Sequence, residues 1–303
     1  MSAVTSARAP LSGTAGGLIR ATASALGSES EGRWVVAHAL GVPSSALDVA
    51  AAVSVAQNRA VAAMVERRTA GEPLQYILGE WSFRHLDVDV DGRVLIPRPE
   101  TEQVVEAALT DLRRAVATGG GEPPAAADLG TGSGVIALSL VLEAAADGVE
   151  VWATDASGAS LDVAGANVRR LAARHPAAAA RVHLARGSWF AALPADLVGC
   201  LALVVSNPPY VAESEWSVLD PEVRDHEPRD ALVPGPTGFE ALDHLLDHAR
   251  RWLRPGGGLV LELAPHQAAA VAATGIGLGY EDLEIRDDLS GRPRMVVARW
   301  PGA

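Results

Sequence analysis

The 303-residue chain contains no lysine; all 25 of its basic residues are arginine. It has one cysteine, Cys200, and only 4% aromatic residues. A lone cysteine excludes an intramolecular disulfide and any multi-cysteine zinc site. In its apolar setting Cys200 reads as a small buried hydrophobe. The eight histidines show no zinc-ligand spacing, so no metal is expected. No stretch approaches the run of about 20 apolar residues that spans a bilayer. The opening MSAVTSARAPLSGTAG lacks a basic segment followed by an apolar one, so no signal peptide is expected. Together these absences suit a cytoplasmic protein. The arginine-only set beside so many alanines looks like a GC-rich coding bias. A basic surplus is missing too: 37 acidic residues leave a formal net charge of −12. That argues against tight non-specific nucleic-acid binding, which needs a phosphate-neutralising surface. A protein or small-molecule partner is favoured, and a monomer is expected.

What is present is apolar: 49% hydrophobic residues and a mean hydropathy of +0.15. That suffices for two domains, or for one large domain with an appendage. Residues 1–15 are small, polar and proline-bearing and read as disordered. Over 16–74 the chain reads as short helices, with stops at Gly41 before Pro43 and at Gly71 before Pro73. Residues 75–98 change to a β pattern. HLDVDVDGRVLIP alternates apolar and polar on either side of Asp91-Gly92, a hairpin turn signal. A helix follows from Pro99, and GGGEPP at 119–124 reads as a loop. From 125 onward strands and helices alternate, ending in two strands near 280–286 and 294–299. Such alternation predicts a mostly parallel sheet with helices on both faces, closed by an antiparallel pair.

DLGTGSG (128–134) lies where the first strand of that sheet turns into a helix. Gly130, Gly132 and Gly134, with Thr131 and Ser133 between them, let a ligand approach the backbone closely. The next strand ends in Asp155, placed to accept hydrogen bonds from both hydroxyls of a ribose. The pair favours an adenosine-containing cofactor over a simple tight turn. Asp128 just before the loop would repel a pyrophosphate but suits the ammonium group of a methionine moiety through water. With the closing hairpin, this selects S-adenosylmethionine over a nicotinamide dinucleotide.

SNPPYV (206–211) follows the apolar run LALVV. Two consecutive prolines there could simply end the strand, the bland reading for a lone Asn-Pro. The tetrapeptide Asn207-Pro208-Pro209-Tyr210 can instead hold a planar NH₂ group. The Asn207 oxygen accepts one N–H and the Pro208 carbonyl the other. The prolines stiffen the loop, and the Tyr210 ring packs against the planar group. Catalysis is then positioning and electrostatics. His226 and Glu262 read as a surface histidine and an inward or pocket-edge acid without a direct role.

DLGTGSG followed by NPPY resembles the class I S-adenosylmethionine-dependent methyltransferases that act on planar NH₂ groups. GEPLQYILGEWSF (71–83), VLIPRPETE (94–102) and EPRDALVPGPTGFEAL (227–242) resemble the peptide chain release factor N5-glutamine methyltransferase family. The resemblance implies an α/β fold, a seven-stranded, mostly parallel, doubly wound, Rossmann-like sheet over 99–303. A small helical domain at 16–74, joined through a β-hairpin linker at 75–98, would dock the release factor. It implies methyl transfer to the glutamine of the Gly-Gly-Gln motif in class I release factors. By the same resemblance, Gly130 to Gly134 and Asp155 bind the cofactor and Trp189 lies beside the adenine. Asn207 to Tyr210 hold the glutamine amide, Asn207 also touching the cofactor. Ile96 to Glu102, including Arg98, Pro99 and Glu100, line the site. Ser188 stands where the family usually has an acid facing the adenine amino group. The alternatives are a glutamine methyltransferase of a ribosomal protein and a DNA or RNA exocyclic-amine methyltransferase.

Overall fold

The computed structural model describes residues 13–118 and 123–302. The expected disorder of residues 1–12 and the loop at 119–122 lie outside the described residues. Thr14 and Ala15, however, belong to the fold. Thr14 caps the first helix by accepting from Gly17 N, and Ala15 is fully buried.

Contacts divide the chain into two compact units. One comprises the described residues up to Gly79 together with Pro221–His226, and the other Glu80–Asp220 with Glu227–Ala303. The first unit is helical: α1 (Ala15–Leu26), α2 (Glu29–Leu40), α3 (Val55–Thr69) and α4 (Leu74–Leu78). Gly27, Gly41 and Gly79 end three of these in the left-handed region, which glycine enters without a Cβ penalty. Leu18, Val35, Val36, Val61, Leu74 and Ile77 build its core. The Arg68 guanidinium bonds both Glu31 (2.9 Å) and Glu222 (2.7 Å). It thereby ties α3 to a segment more than 150 residues away in sequence.

The second unit opens with a hairpin, β1 (Glu80–Phe83) and β2 (Leu86–Asp89). The pairing corrects the turn position: Phe83 faces Leu86, so the chain reverses at Arg84-His85 and not at Asp91-Gly92. Arg84 takes φ +50 there. The Arg84 guanidinium is held at 2.6 Å by Glu143, and its backbone N donates to Glu102. Those distant partners fix a turn that carries no Asn-Gly or Asp-Gly signature. Residues 90–98 form no strand.

There follow α5 (Pro99–Thr118), β3 (Ala125–Leu129), α6 (Val135–Glu143), β4 (Glu150–Asp155), α7 (Gly158–Ala172), α8 (Pro176–Ala179), β5 (Val182–Arg186) and β6 (Leu201–Ser206). The short α9 (Pro221–His226) precedes α10 (Glu240–Trp252), β7 (Leu253–Glu262), α11 (Ala268–Gly277), β8 (Glu281–Asp287) and β9 (Pro293–Trp300). Among the described residues the seven strands β3 to β9 form one sheet in the order β5-β4-β3-β6-β7-β9-β8. Five run parallel, and β9 pairs antiparallel with both β7 and β8. This is the α/β class I methyltransferase fold. β6 is buried along its whole length, as a central strand covered on both faces must be, hence its unbroken apolar run. Cys200, one residue before β6, is exposed rather than buried. It sits in the turn made by Gly199 (φ +73), outside the sheet's hydrophobic layers. No helix among the described residues is long and apolar enough to cross a membrane.

The strand order reverses between β3 and β6. Ligands of open α/β sheets bind outside the carboxyl ends of the strands, in the crevice at such a reversal. The glycine loop leaves β3 at this point, and Asn207 follows β6.

Candidate active site

The crevice holds a cavity of about 650 Å³, within the size range of small-molecule sites. One wall is the glycine loop. Gly130, Gly132 and Gly134 have φ of +75, +55 and +87, a region that side-chain-bearing residues rarely enter. The N–H groups of Gly130 and Thr131 both donate to Thr154 O of β4 at 2.9 Å, folding the loop over that strand. A Cβ on Gly130 would stand 3.4 Å from the Trp189 ring, so the bare backbone lets the indole lie close.

Asp155, at the end of β4, shares this wall. Its Oδ2 accepts from Gly132 N at 3.0 Å and its Oδ1 from Ser157 N at 2.8 Å. Two backbone donors lock the carboxylate in place, yet each oxygen keeps lone-pair capacity for a ligand hydroxyl. Trp189 and Ser188 line the cavity as well. Trp189 carries φ +49, an uncommon conformation for a large side chain and one no sequence signal announces.

Asp128 does not line the cavity. It is fully buried beneath the loop, where Oδ2 accepts from the Thr131 hydroxyl (2.6 Å) and from Ala137 N (3.1 Å). Its Oδ1 has no hydrogen-bond partner among the described residues. It thus braces the loop against α6 rather than facing a ligand. Burial pushes its carboxyl up to about 7, against an ordinary value of about 3.9. The folded protein therefore keeps a proton on Asp128 between about pH 4 and 7 while the unfolded chain releases it. Below that window both states are protonated and the group contributes nothing. Through it, stability falls as pH rises. Relative to Asp128→Asn, the natural chain should lose about 1.4 kcal/mol per pH unit inside the window. Urea titrations of both proteins at pH 4.5 and 6.5 read this difference, and parallel pH curves would refute it.

Across the crevice, Asn207 and Pro209 line the cavity, whereas Pro208 and Tyr210 do not. The Asn207 Nδ2 donates to the Thr101 hydroxyl at 3.2 Å, and that hydroxyl donates to Glu262 Oε2 at 2.7 Å. Glu262 is 1% exposed, and burial pushes its carboxyl up to about 7. Tyr210 packs against the core of the sheet, and burial, aided by the nearby Glu262 carboxyl, raises its phenol so that it stays neutral. Its carbonyl is pinned by Gln267, whose Nε2 donates at 3.0 Å to both Tyr210 O and Gly238 O. Gly238 (φ +80) must be bare, since a Cβ would stand 2.6 Å from Tyr210 O. Thr101, Gln267 and Gly238 were not singled out from the sequence. Thr101 lay inside the 96–102 segment expected to line the site and Gly238 inside the GPTGFE stretch, whereas Gln267 carried no signal.

From the 96–102 segment, Ile96, Pro97, Arg98 and Thr101 reach the cavity, while Pro99 and Glu100 do not. Pro99 opens α5 at a position where its missing N–H costs nothing, and Glu100 faces Arg292 at 3.7 Å. Arg98 bonds the buried Glu227 at 2.5 Å, joining this segment to Pro228, Asp230 and Ala231, which also line the cavity. Gly134 caps α6 without reaching the cavity. His226 ends α9 in the helical unit and is not among the residues that line the cavity. Among the described residues no group of three or more His, Cys, Asp or Glu is placed to hold a metal ion.

Residues 21–79 match the family model described as the PrmC N-terminal domain. The chain is 42% identical over 241 residues to the release factor glutamine methyltransferase of Nitratidesulfovibrio vulgaris, covering 78% of this chain and 75% of that one. It is 37% identical over 276 residues to the enzyme of that name from Deinococcus radiodurans, covering 90% and 92%. The one from Burkholderia pseudomallei is 38% identical over 275 residues, with the same coverage. Relatives of 37–42% identity cover most of this chain and most of their own length, and the chain belongs to the release factor glutamine methyltransferase family.

Proposed function

We propose that this enzyme transfers a methyl group from S-adenosylmethionine to the side-chain N5 of the glutamine in the Gly-Gly-Gln motif of class I release factors. The observation that carries this reading is Asn207. Its NH₂ is engaged by Thr101, which leaves its carbonyl oxygen for a ligand on a residue that lines the cavity. That oxygen accepts one N–H of the substrate amide, and the carbonyl of Pro208 accepts the other. Pro208 and Pro209 have no N–H to distract the loop and little freedom in φ.

The residues at hand fit the cofactor. Asp155 would offer carboxylate lone pairs to the ribose hydroxyls, the bare Gly130 and Gly132 would admit close approach, and Trp189 would supply a flat face for an adenine. Ser188 can accept a hydrogen bond from the adenine amino group without a charge. When bound, S-adenosylmethionine supplies an electrophilic methyl carbon on a sulfonium sulfur. The chain's part is to orient and to stabilise. Two fixed oxygen dipoles face the substrate nitrogen as positive charge develops on it. No strong base is required, because an alkylated amide nitrogen sheds its proton readily. Tyr210, its phenol raised by burial and packed against the core, is no base and supports the turn from behind. The helical unit serves to dock the release factor, and the enzyme works as a cytoplasmic monomer.

The test is incubation of purified enzyme with release factor and labelled S-adenosylmethionine, followed by peptide mass spectrometry. One added methyl on the glutamine of Gly-Gly-Gln is expected. Label found only in DNA or RNA, or on another side chain, would sink the reading.

A further inference from the structure

Asn207, Thr101 and Glu262 come from three separate elements: the turn after β6, the first turn of α5 and the end of β7. With Glu262 ionised, they form one hydrogen-bonded line with a built-in direction. At its buried end, Glu262 Oε2 accepts the Thr101 hydroxyl proton at 2.7 Å. The hydroxyl has a single proton, so only its lone pairs are left to face Asn207. Lone pairs can be met by the amide's NH₂, which stands at 3.2 Å, and not by its carbonyl. A reversed amide would set oxygen against oxygen.

Glu262 itself is hard to explain as a structural residue. It is 1% exposed, and its Oε1 has no hydrogen-bond partner among the described residues. A buried carboxyl satisfied on one side only is costly. An apolar residue would fill that strand position more cheaply.

We infer that Thr101 and Glu262 are positioning residues that select which face of the Asn207 amide is offered to the substrate nitrogen. This rests on the methyl-transfer reading above. Neither side chain needs to touch the reacting atoms. Thr101 acts by what it accepts from Asn207, and Glu262 by dictating where the Thr101 proton goes.

Thr101→Val keeps the shape and deletes the hydroxyl. It should lower kcat on release factor about 10- to 100-fold, the loss expected when buried partners are left unmatched. The affinity for S-adenosylmethionine should stay within about threefold, which also shows that the variant is folded. Thr101→Ser restores the hydroxyl and should restore kcat to within about threefold of the natural chain. Glu262→Met should resemble Thr101→Val, because a hydroxyl without its acceptor can donate to the Asn207 carbonyl and turn the amide. The decisive measurement is a double-mutant cycle. Added to Asn207→Ala, Thr101→Val should change single-turnover rates by less than about threefold, since the group it positions is gone.

A full-sized effect of Thr101→Val in the Asn207→Ala background would overturn the inference, as would an unchanged kcat in Thr101→Val itself. So would failure of serine to rescue. If the natural chain transfers no methyl group to release factor, the reading fails and the inference with it. Natural turnover with an indifferent Thr101→Val removes the inference alone.

Discussion

Asn207→Ala should reduce methyl transfer to release factor by about 10²- to 10³-fold, the usual cost of deleting one preorganised group that meets transition-state charge. The alanine removes the acceptor for one substrate N–H and leaves the Pro208 carbonyl to hold the amide alone. The nitrogen can then rotate about its remaining hydrogen bond, so positioning is lost together with charge stabilisation. The affinity for S-adenosylmethionine, followed by quenching of tryptophan fluorescence, should change by less than about threefold. An equal collapse in cofactor affinity would mean that Asn207 holds the cofactor as well. Unchanged turnover would remove Asn207 from the chemistry altogether.

Asp155→Ala should act on the opposite wall and on the opposite parameter. Two charge-assisted hydrogen bonds to ribose hydroxyls, at about 1.5 kcal/mol or more each, correspond to at least about a 100-fold rise in the dissociation constant for S-adenosylmethionine. The same carboxylate also fixes the N–H groups of Gly132 and Ser157, so its loss loosens the glycine loop in the same direction. At saturating cofactor, turnover should fall by less than about tenfold, because the amide-holding turn is untouched. Isothermal titration with S-adenosylhomocysteine measures the effect, and a dissociation constant within threefold of the natural chain would contradict it. The two variants therefore separate the walls of the crevice: one changes kcat, the other cofactor affinity.

That these two segments line one cavity was legible beforehand because each rests on local signals: glycines at alternate positions between a strand and a helix, and an amide before two prolines at a strand end. The seven strands were readable from alternation, and β6 in particular from its unbroken apolar run. The hairpin was misplaced for the complementary reason. Asp91-Gly92 is a good local turn, but the chain turns at Arg84-His85, where Glu143 and Glu102 hold Arg84 from far along the sequence. Asp128 was misjudged similarly. Its place before the glycine loop suggested a ligand contact, while packing of α6 over the loop buries it completely.

The sequence by itself determined which chemistry this chain carries: a glycine loop with a following acid, a strand that ends in Asn-Pro-Pro-Tyr, and a helical unit ahead of both. Each is written in contiguous residues and short-range backbone preferences. Only the tertiary structure decided how those groups are aimed. Asn207 and Glu262 lie 106 and 161 residues from Thr101 along the chain, and Arg98 meets Glu227 across 129. Hydrogen bonds over such separations leave no periodicity or spacing in the sequence. They exist because strand order reverses between β3 and β6 and brings those segments to one crevice.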